Sequence, residues 1–242
     1  MKKPATIHPM KNATTHPPPA PLPDEKVSFQ WELMRKGIHL CSLSIPILYY
    51  YVPRSLALKV LIPAAAFFLG GDLLRLFHKP SFELYKRIFG RMLRTHEQLE
   101  HKRTFNGATW VLISALFCVL VFPKLIAITA FTILIISDTT AALVGRRFGT
   151  RKYRGKTLEG STAFVASAAI ALLFTPKVAY LPTEFLIGVV AAIFGAIAEI
   201  FSFNVIDDNF AIPVAIGFTL WGMYLLFLPQ LDVTLLDALI RL

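Results

Sequence analysis

The segment 146–159, RRFGTRKYRGKTLE, combines cations and glycines in a pattern that is typical of anion sites. It holds six cations, has glycines at 149 and 155, and leads directly into an apolar run. Cations together with free backbone amides at a helix N-terminus bind phosphate groups. We therefore expect this loop to bind a polyphosphate. A loop that is basic only because it faces the cytoplasm would carry the same charge.

Gly155, Lys156 and Thr157 match the end of a Walker A loop, but the rest of that motif is missing. The pattern GxxxxGK[ST] needs a glycine where this chain has Thr150. The segment before the loop is an apolar run of helix length rather than a strand. The sequence therefore excludes a P-loop as the form of this anion site.

Four carboxylates are candidates for holding Mg²⁺: Asp138, Glu199, Asp207 and Asp208. Phosphoryl transfer needs chiefly a metal ion on the phosphates, cations on the developing charge and a carboxylate near the attacking hydroxyl. Asp207 and Asp208 also fit N-terminal capping of a helix, and Glu199 also fits a hydrogen bond to a closely packed helix. Asp138 is harder to explain structurally because it lies inside an apolar run.

The elements that must position these residues are membrane helices. The 242 residues are 55% hydrophobic and 17% charged, with a mean hydropathy of +0.58. A soluble domain carries about 25% charged residues, so the composition excludes a soluble globular enzyme, and it equally excludes a disordered chain. The two cysteines lie in apolar runs and indicate neither a metal site nor a disulfide framework. Seven apolar stretches occur, at 37–53, 55–76, 106–122, 124–145, 160–177, 184–205 and 209–228.

We expect an all-α integral membrane protein, a bundle of about seven transmembrane helices with a cytoplasmic amphipathic helix. The amphipathic helix is predicted within 81–99, SFELYKRIFGRMLRTHEQL, where apolar residues recur at helical spacing. It would lie in the headgroup layer or pack on the bundle. Residues 1–26 are Pro-rich and predict a disordered cytoplasmic tail, while 27–242 predict a single transmembrane catalytic domain.

The orientation follows from the positions of lysine and arginine. With the N-terminus inside and seven spans, 20 of the 25 cations fall on cytoplasmic segments and 5 on the other side. We expect a protein of the inner (cell) membrane, with its N-terminus and site in the cytoplasm and its C-terminus on the opposite side. The net charge of +10 is then mostly a topology signal, and nucleic acid is not an expected partner.

The polar residues of the spans gather at their cytoplasmic ends. Asp72 and Arg75, three residues apart at one of these ends, are expected to pair with each other. A transporter needs polar groups near the midplane with access from both sides. One-sided clustering instead favours an enzyme that takes a soluble substrate from the cytoplasm and a lipid from the bilayer.

Three blocks of the chain resemble one family. The run SDTTAALVGRRFGTRKYRGKTLEGSTAF (Ser137–Phe164) is similar to the signature of dolichol kinases, phytol kinases and CTP-dependent diacylglycerol kinases. WELMRKGIHL (Trp31–Leu40) and EIFSFNVIDDNFAIP (Glu199–Pro213) resemble its other two elements. Distant relatives, the phosphatidate cytidylyltransferases, have a block of paired aspartates after His-Gly-Gly that is missing here.

The resemblance implies an integral membrane enzyme that phosphorylates a lipid alcohol with CTP and a divalent cation such as Mg²⁺. By resemblance, Asp138, Gly145, Gly149, Lys152, Lys156, Thr157, Glu159 and Gly160 belong to the nucleotide site. Lys36, His39 and Asn209 fall on other matching positions, and with Gly155 of the loop we expect them to bind the nucleotide as well. The residues and the resemblance together lead us to expect catalytic roles for Asp138, Lys156, Asp208 and Arg35, and metal binding by Asp138, Asp208, Asp207 and Glu199.

Several alternatives stay open at this point. A cytidylyltransferase of lipid phosphates and a non-enzymatic membrane transporter are the competing functions. The acceptor is a polyprenol, a phytol-like alcohol or a diacylglycerol, and the residues alone do not distinguish CTP from another nucleotide. Asp207 precedes the family's Asp-Asn pair as an extra acid, so either Asp207 or Asp208 would bind the metal. The oligomeric state is not predicted.

Overall fold

The computed structural model of the protein describes residues 29–89, 105–202 and 206–239. The predicted N-terminal tail lies outside them, as does the second half of the predicted amphipathic helix. The helices before the 146–159 loop are α1 (Phe29–Cys41), α2 (Ser44–Tyr51), α3 (Arg54–Phe77), α4 (Lys79–Phe89), α5 (Gly107–Val121) and α6 (Lys124–Phe148). After it come β1 (Lys152–Tyr153), β2 (Lys156–Thr157), α7 (Leu158–Leu172), α8 (Pro182–Phe201), α9 (Asp208–Phe227) and α10 (Leu235–Leu239).

The described residues are mostly helical and agree with an all-α membrane protein, but seven spanning helices are not confirmed. In the described part of the chain, four helices are long and apolar enough to cross a membrane: α3, α6, α8 and α9. Helices α5 and α7 are apolar but have 15 residues each. At about 1.5 Å per residue, 15 residues fall short of a hydrocarbon core about 30 Å thick.

The sequence analysis expected the apolar stretch 37–53 to form one helix, but the structure shows two. It is divided between α1 and α2, which are separated by a turn at Ser42 and Leu43. In this turn Ser42 N donates to His39 O and Leu43 N donates to Leu40 O, which is the tighter three-residue spacing. Pro46 follows as the third residue of α2, a position where its missing N–H costs no helical hydrogen bond. Because the apolar pattern continues through this break, hydropathy alone did not predict it.

Helix α6 is the centre of the bundle. It packs against α1, α2, α5, α7, α9 and α10. In its most apolar 18 residues 78% are buried, compared with 22% in the corresponding stretch of α3. A helix that is apolar on all faces belongs in an interior, whereas α3 presents most of its surface outward. Helix α8 packs between α7 and α9. The central position of α6 brings its one acidic residue, Asp138, into the interior of the fold.

An ion pair predicted from the sequence lies within α3, and its aspartate also binds the start of α5. Arg75 Nε donates to Asp72 Oδ1 at 3.1 Å, and both side chains are buried. Asp72 also accepts from the backbone N of Asn106 at 2.7 Å and from its side-chain Nδ2 at 2.9 Å. Asn106 in turn caps α5 by accepting from Thr109 N at 2.9 Å. The pair of Asp72 and Arg75 is thereby confirmed, and it fixes the start of α5.

Helix α4 is the described part of the predicted amphipathic helix. It packs on α3, and the Arg75 guanidinium lies 4.8 Å from the centre of the Tyr85 ring. Leu84 is exposed. Packing on the bundle was one of the two readings left open, and α4 fits it. A position in the headgroup layer stays a prediction.

Near the start of α8, buried polar groups form hydrogen bonds with one another. Glu184, near the start of α8, is buried and accepts hydrogen bonds from the backbone amides of Val178, Ala179 and Leu181. Its other partner is the hydroxyl of Tyr224, at 2.8 Å. Each carboxylate oxygen has donors within the fold, so Glu184 stabilises a connection between helices.

Candidate active site

Lys36 and Asp138 form a buried ion pair between α1 and α6. Lys36 Nζ lies 2.5 Å from Asp138 Oδ2, and the two residues are 6% and 5% exposed. His39, one helical turn after Lys36, places its Nε2 3.6 Å from the same oxygen. A buried carboxylate inside an apolar helix needs such a partner, because a lone buried charge is very costly. The intramembrane Asp138 is thereby explained as one half of an ion pair.

Lys156 forms the second group of charges. Its Nζ lies 2.8 Å from Glu199 Oε1, at the end of α8, and 3.1 Å from Asp208 Oδ2, at the start of α9. Burial lowers the pKa of Lys156, but the carboxylates of Asp208 and Glu199 raise it by more, so its pKa lies above the ordinary value. Lys156 therefore keeps its positive charge at physiological pH.

The two groups belong to one site. Asp138 acts electrostatically on Lys156 as well as on Lys36, and Asp208 acts on His39. Arg35, half-buried on α1, also acts on His39. The lysine–carboxylate cluster is defined here as Lys36, Asp138, Lys156, Glu199 and Asp208. It lies at one end of the bundle, where α1, α6, α8, α9 and the loop after α6 meet.

The loop after α6 contains a β-hairpin that the sequence analysis did not predict. β1 and β2 are antiparallel, with Lys152 opposite Thr157 and Tyr153 opposite Lys156. Arg154 and Gly155 form the turn with φ of 48° and 83°, the left-handed backbone that two-residue hairpin turns require. Gly155 in a short polar segment was the available signal. The hairpin directs Lys156 inward, while Lys152 is exposed.

Three glycines allow α6 and α7 to approach closely around Thr157. A Cβ on Gly145 would lie 2.6 Å from Thr157 Oγ1, and one on Gly160 would lie 2.9 Å from the backbone O of Ala141. A Cβ on Gly149 would lie 2.5 Å from Thr157 Cγ2. Each distance is too short for a real contact, so packing alone requires glycine at these positions. Contact of these glycines with a nucleotide stays a prediction.

Thr157 caps the N-terminus of α7. Its hydroxyl accepts from Gly160 N at 3.1 Å. Glu159 accepts from Thr150 Oγ1 at 2.5 Å and, more weakly, from Arg151 N at 3.4 Å. Glu159 lies partly exposed against the loop. Both residues shape the hairpin that carries Lys156.

Replacing Thr157 with alanine is expected to lower stability by about 1 kcal/mol, because an orphan amide of α7 loses its acceptor. Thermal unfolding of the detergent-solubilised protein should shift down by about 2–4 °C. Thr162→Ala is the matched control, since the exposed Thr162 hydroxyl only donates to Glu159 O within the same helix. If both variants unfold at the same temperature, the capping role of Thr157 is refuted.

The start of α9 separates the roles of the two adjacent aspartates. Asp207 is the N-cap, and its Oδ1 accepts from Asn209 N at 3.0 Å and from Asn209 Nδ2 at 2.7 Å. Asp208 is the one that contacts Lys156. The capping reading that was open for this pair is thus confirmed for Asp207. Asn209, predicted in the nucleotide site, is engaged with that cap.

The four predicted metal ligands are not grouped as a ligand set. Among the residues that the structure describes, no three His, Cys, Asp or Glu side chains come together in a way that could hold a metal ion. Asp138 is paired with Lys36, Asp207 caps α9, and Glu199 shares Lys156 with Asp208. Glu199 Oε2, however, is buried and has no hydrogen-bond partner in the described part of the chain. Glu199 and Asp208 are two carboxylates that share one lysine, so the metal assignment stays a prediction.

The fold and the cluster together define a helical membrane protein with a buried, charged site at one end of its helices. No model of a protein family matches the chain, and no solved structure matches it. It is 30% identical over 191 residues to an uncharacterized protein of Rickettsia prowazekii, covering 77% of this chain and 92% of that protein.

Fungal relatives carry a functional name. The chain is 32% identical over 161 residues to CTP-dependent diacylglycerol kinase 1 of Schizosaccharomyces pombe, covering 60% of this chain and 70% of the kinase. It is 32% identical over 170 residues to the Saccharomyces cerevisiae protein of the same name, covering 59% of this chain and 56% of that protein. This chain belongs to the CTP-dependent lipid kinase family, which confirms the resemblance found in the sequence.

Proposed function

We propose that this protein transfers the γ-phosphate of CTP to the hydroxyl of a membrane lipid alcohol. The observation that carries the proposal is Lys156, held in the interior between Glu199 and Asp208 beside the buried Lys36–Asp138 pair. Two lysines and three carboxylates in one low-dielectric site are the groups that phosphoryl transfer uses for binding phosphates and orienting a hydroxyl. The kinase names of the fungal relatives support CTP as the donor.

In the proposed reaction the oxygen of the lipid alcohol attacks the γ-phosphorus of CTP. The bond from that phosphorus to the β-phosphate oxygen breaks, and the products are CDP and a lipid phosphate monoester. A carboxylate of the cluster, Asp138 or Asp208, orients the hydroxyl and takes its proton. Lys156 and Arg35 stabilise the negative charge on the phosphoryl group in the transition state of its transfer. A divalent cation held by Glu199 and Asp208 would supply further neutralisation of phosphate charge.

Diacylglycerol is the acceptor that the relatives' names favour, ahead of a polyprenol or a phytol-like alcohol. All three present a hydroxyl on an apolar chain, and a site at one end of the helices suits each of them. The distribution of lysine and arginine supports placing that end, and the N-terminus, in the cytoplasm. We also propose that the membrane is the inner (cell) membrane and that the C-terminus lies on the other side.

The test is product analysis with the purified full chain, γ-³²P-labelled CTP and a panel of lipid alcohols. A kinase releases CDP and transfers the label to the lipid, which thin-layer chromatography detects, and we expect the most label on diacylglycerol. A cytidylyltransferase would instead join the CMP part of CTP to a lipid phosphate, and the β- and γ-phosphates of CTP would leave as labelled pyrophosphate. A transporter would move substrate in sealed vesicles without consuming CTP. Either of these results would overturn the proposal.

A further inference from the structure

Most of the positive charge of the loop after α6 lies at the surface, outside the lysine–carboxylate cluster. Of the six cations in 146–156, only Lys156 is partly buried, and the exposed ones are Arg146, Arg147, Arg151, Lys152 and Arg154. The segment itself contains no acid. Glu159, which follows it, is engaged by Thr150 and by the backbone amide of Arg151. The exposed part of the loop is therefore strongly basic.

Three exposed aromatic rings accompany these cations. Phe148, Tyr153 and Phe201 are 61%, 62% and 56% exposed. The guanidinium of Arg147 lies 5.6 Å from the centre of the Phe148 ring, and that of Arg154 lies 5.0 Å from the centre of the Phe201 ring. The hairpin surface is defined here as Phe148, Tyr153, Phe201, Arg147 and Arg154. It fits a partner that offers apolar and anionic groups side by side.

The hairpin surface lies at the ends of two helices that are able to cross a membrane. Phe148 is the last residue of α6, and Phe201 is the last residue of α8. Arg154, in the turn of the hairpin, reaches from the loop after α6 to the Phe201 ring. The ends of spanning helices lie near the headgroup layer, where aromatic side chains collect. A lysine or arginine at this depth strengthens binding to anionic lipid by about fivefold.

We propose that the hairpin surface binds the headgroups of anionic phospholipids in the membrane that the helices cross. Arg147 and Arg154 bind the phosphate groups, and the three aromatic rings enter the apolar edge of the bilayer. This inference goes beyond the proposed function, because it concerns cations other than Lys156. The contact holds the hairpin, and with it Lys156, at the lipid surface from which the proposed acceptor comes.

The experiment places the photo-crosslinking amino acid p-benzoylphenylalanine at position 153 of the full chain, instead of Tyr153. The purified protein is reconstituted in nanodiscs of phosphatidylcholine with phosphatidylglycerol as the minor lipid, without CTP. Mass spectrometry identifies the crosslinked lipids. The ratio of phosphatidylglycerol to phosphatidylcholine among them is expected to exceed the bulk ratio by about tenfold or more, since two arginines contribute.

Position 194 provides the matched control. Phe194 is an exposed phenylalanine on α8, about two turns before Phe201, and it lies within the apolar part of that helix. The same label at this position is expected to crosslink the two lipids in their bulk ratio.

Two kinds of arginine variant test whether charge causes the enrichment at position 153. Arg147→Gln and Arg154→Gln, each combined with the label at 153, are expected to lower the enrichment by about fivefold. Arg154→Lys keeps the positive charge and is expected to retain most of it. Size-exclusion chromatography in detergent checks that each variant is folded.

The outcomes separate this inference from the proposed function. Equal lipid ratios at positions 153 and 194 would overturn the inference and leave the kinase proposal standing, since the experiment contains no CTP. Crosslinks from position 153 to protein alone would overturn it too, as would an enrichment that both glutamine variants leave unchanged. If these variants instead raised KM for CTP, with unchanged lipid ratios, the two arginines would belong to the nucleotide site. Enrichment at position 153 in a protein that transfers no phosphate would overturn only the proposed function.

Discussion

Replacing Lys156 with alanine is expected to lower kcat/KM for CTP by about three orders of magnitude or more. Lys156 is the cation that the hairpin directs into the site, and its charge is maintained by the neighbouring carboxylates. A single preorganised cation on a transferring phosphoryl group typically contributes about 10³–10⁵ in rate. Initial rates of label transfer from γ-³²P-labelled CTP to diacylglycerol, measured over a range of CTP concentrations, give kcat and KM separately.

Two further variants make this loss interpretable. Lys59→Ala removes the same side chain from an exposed position on α3 and should leave kcat/KM unchanged. Lys156→Arg keeps the charge but not the compact ammonium, and should fall between the wild type and alanine. Size-exclusion chromatography in detergent checks that each variant is folded. A folded Lys156→Ala protein with wild-type kcat/KM would exclude Lys156 from the reaction.

Local patterns predicted those parts of the structure that depend on near neighbours in the chain. Asp72 and Arg75 are three residues apart on one helix, and their pair was expected from spacing alone. Capping by one of the two aspartates at the start of α9 followed from their position. The long apolar runs predicted α3, α6, α8 and α9 to within about four residues at each end. In each case the physical cause acts within a few residues.

What the sequence did not predict depends on contacts between distant segments. Lys36 was expected in the nucleotide site, yet its partner Asp138 is 102 residues away. Lys156 finds Glu199 and Asp208 at separations of 43 and 52 residues. Residue types identified the members of the cluster, but pairing depends on how the helices pack, which spacing does not encode. The metal assignment of the acids stays a prediction, and the structure adds that Asp138, Glu199 and Asp208 each have a lysine partner.

The sequence analysis did not predict the break between α1 and α2, for a related reason. Hydropathy is an average over residue types and does not register a change of backbone direction inside an apolar run. The turn at Ser42 and Leu43 contains no glycine, and Pro46 lies just beyond it. The break places Lys36 and His39 on a separate short helix that packs against α6. An apparent span thus contributes two of its polar residues to the site.

Replacing Gly160 with alanine is expected to lower stability by about 1–3 kcal/mol, because the added Cβ would press against the backbone O of Ala141 at 2.9 Å. A backbone atom of the central helix α6 cannot rotate away as a side chain can, so α7 must move. The hairpin that carries Lys156 leads directly into α7, and a displacement of about 1 Å there costs about 10²-fold in rate. Thermal unfolding and kcat/KM for CTP measure the two effects.

Gly70→Ala is the control that isolates this effect. Gly70 lies in α3, and a Cβ there meets nothing within 4 Å, so alanine should stabilise the helix by about 0.5–1 kcal/mol and leave the rate unchanged. The same chemical change is thus expected to act in opposite directions at two helical glycines. If Gly160→Ala were as stable and active as Gly70→Ala, close contact between α6 and α7 would not position Lys156. Since a nucleotide-binding glycine would affect KM for CTP without lowering the unfolding temperature, the same measurements also separate packing from ligand contact at Gly160.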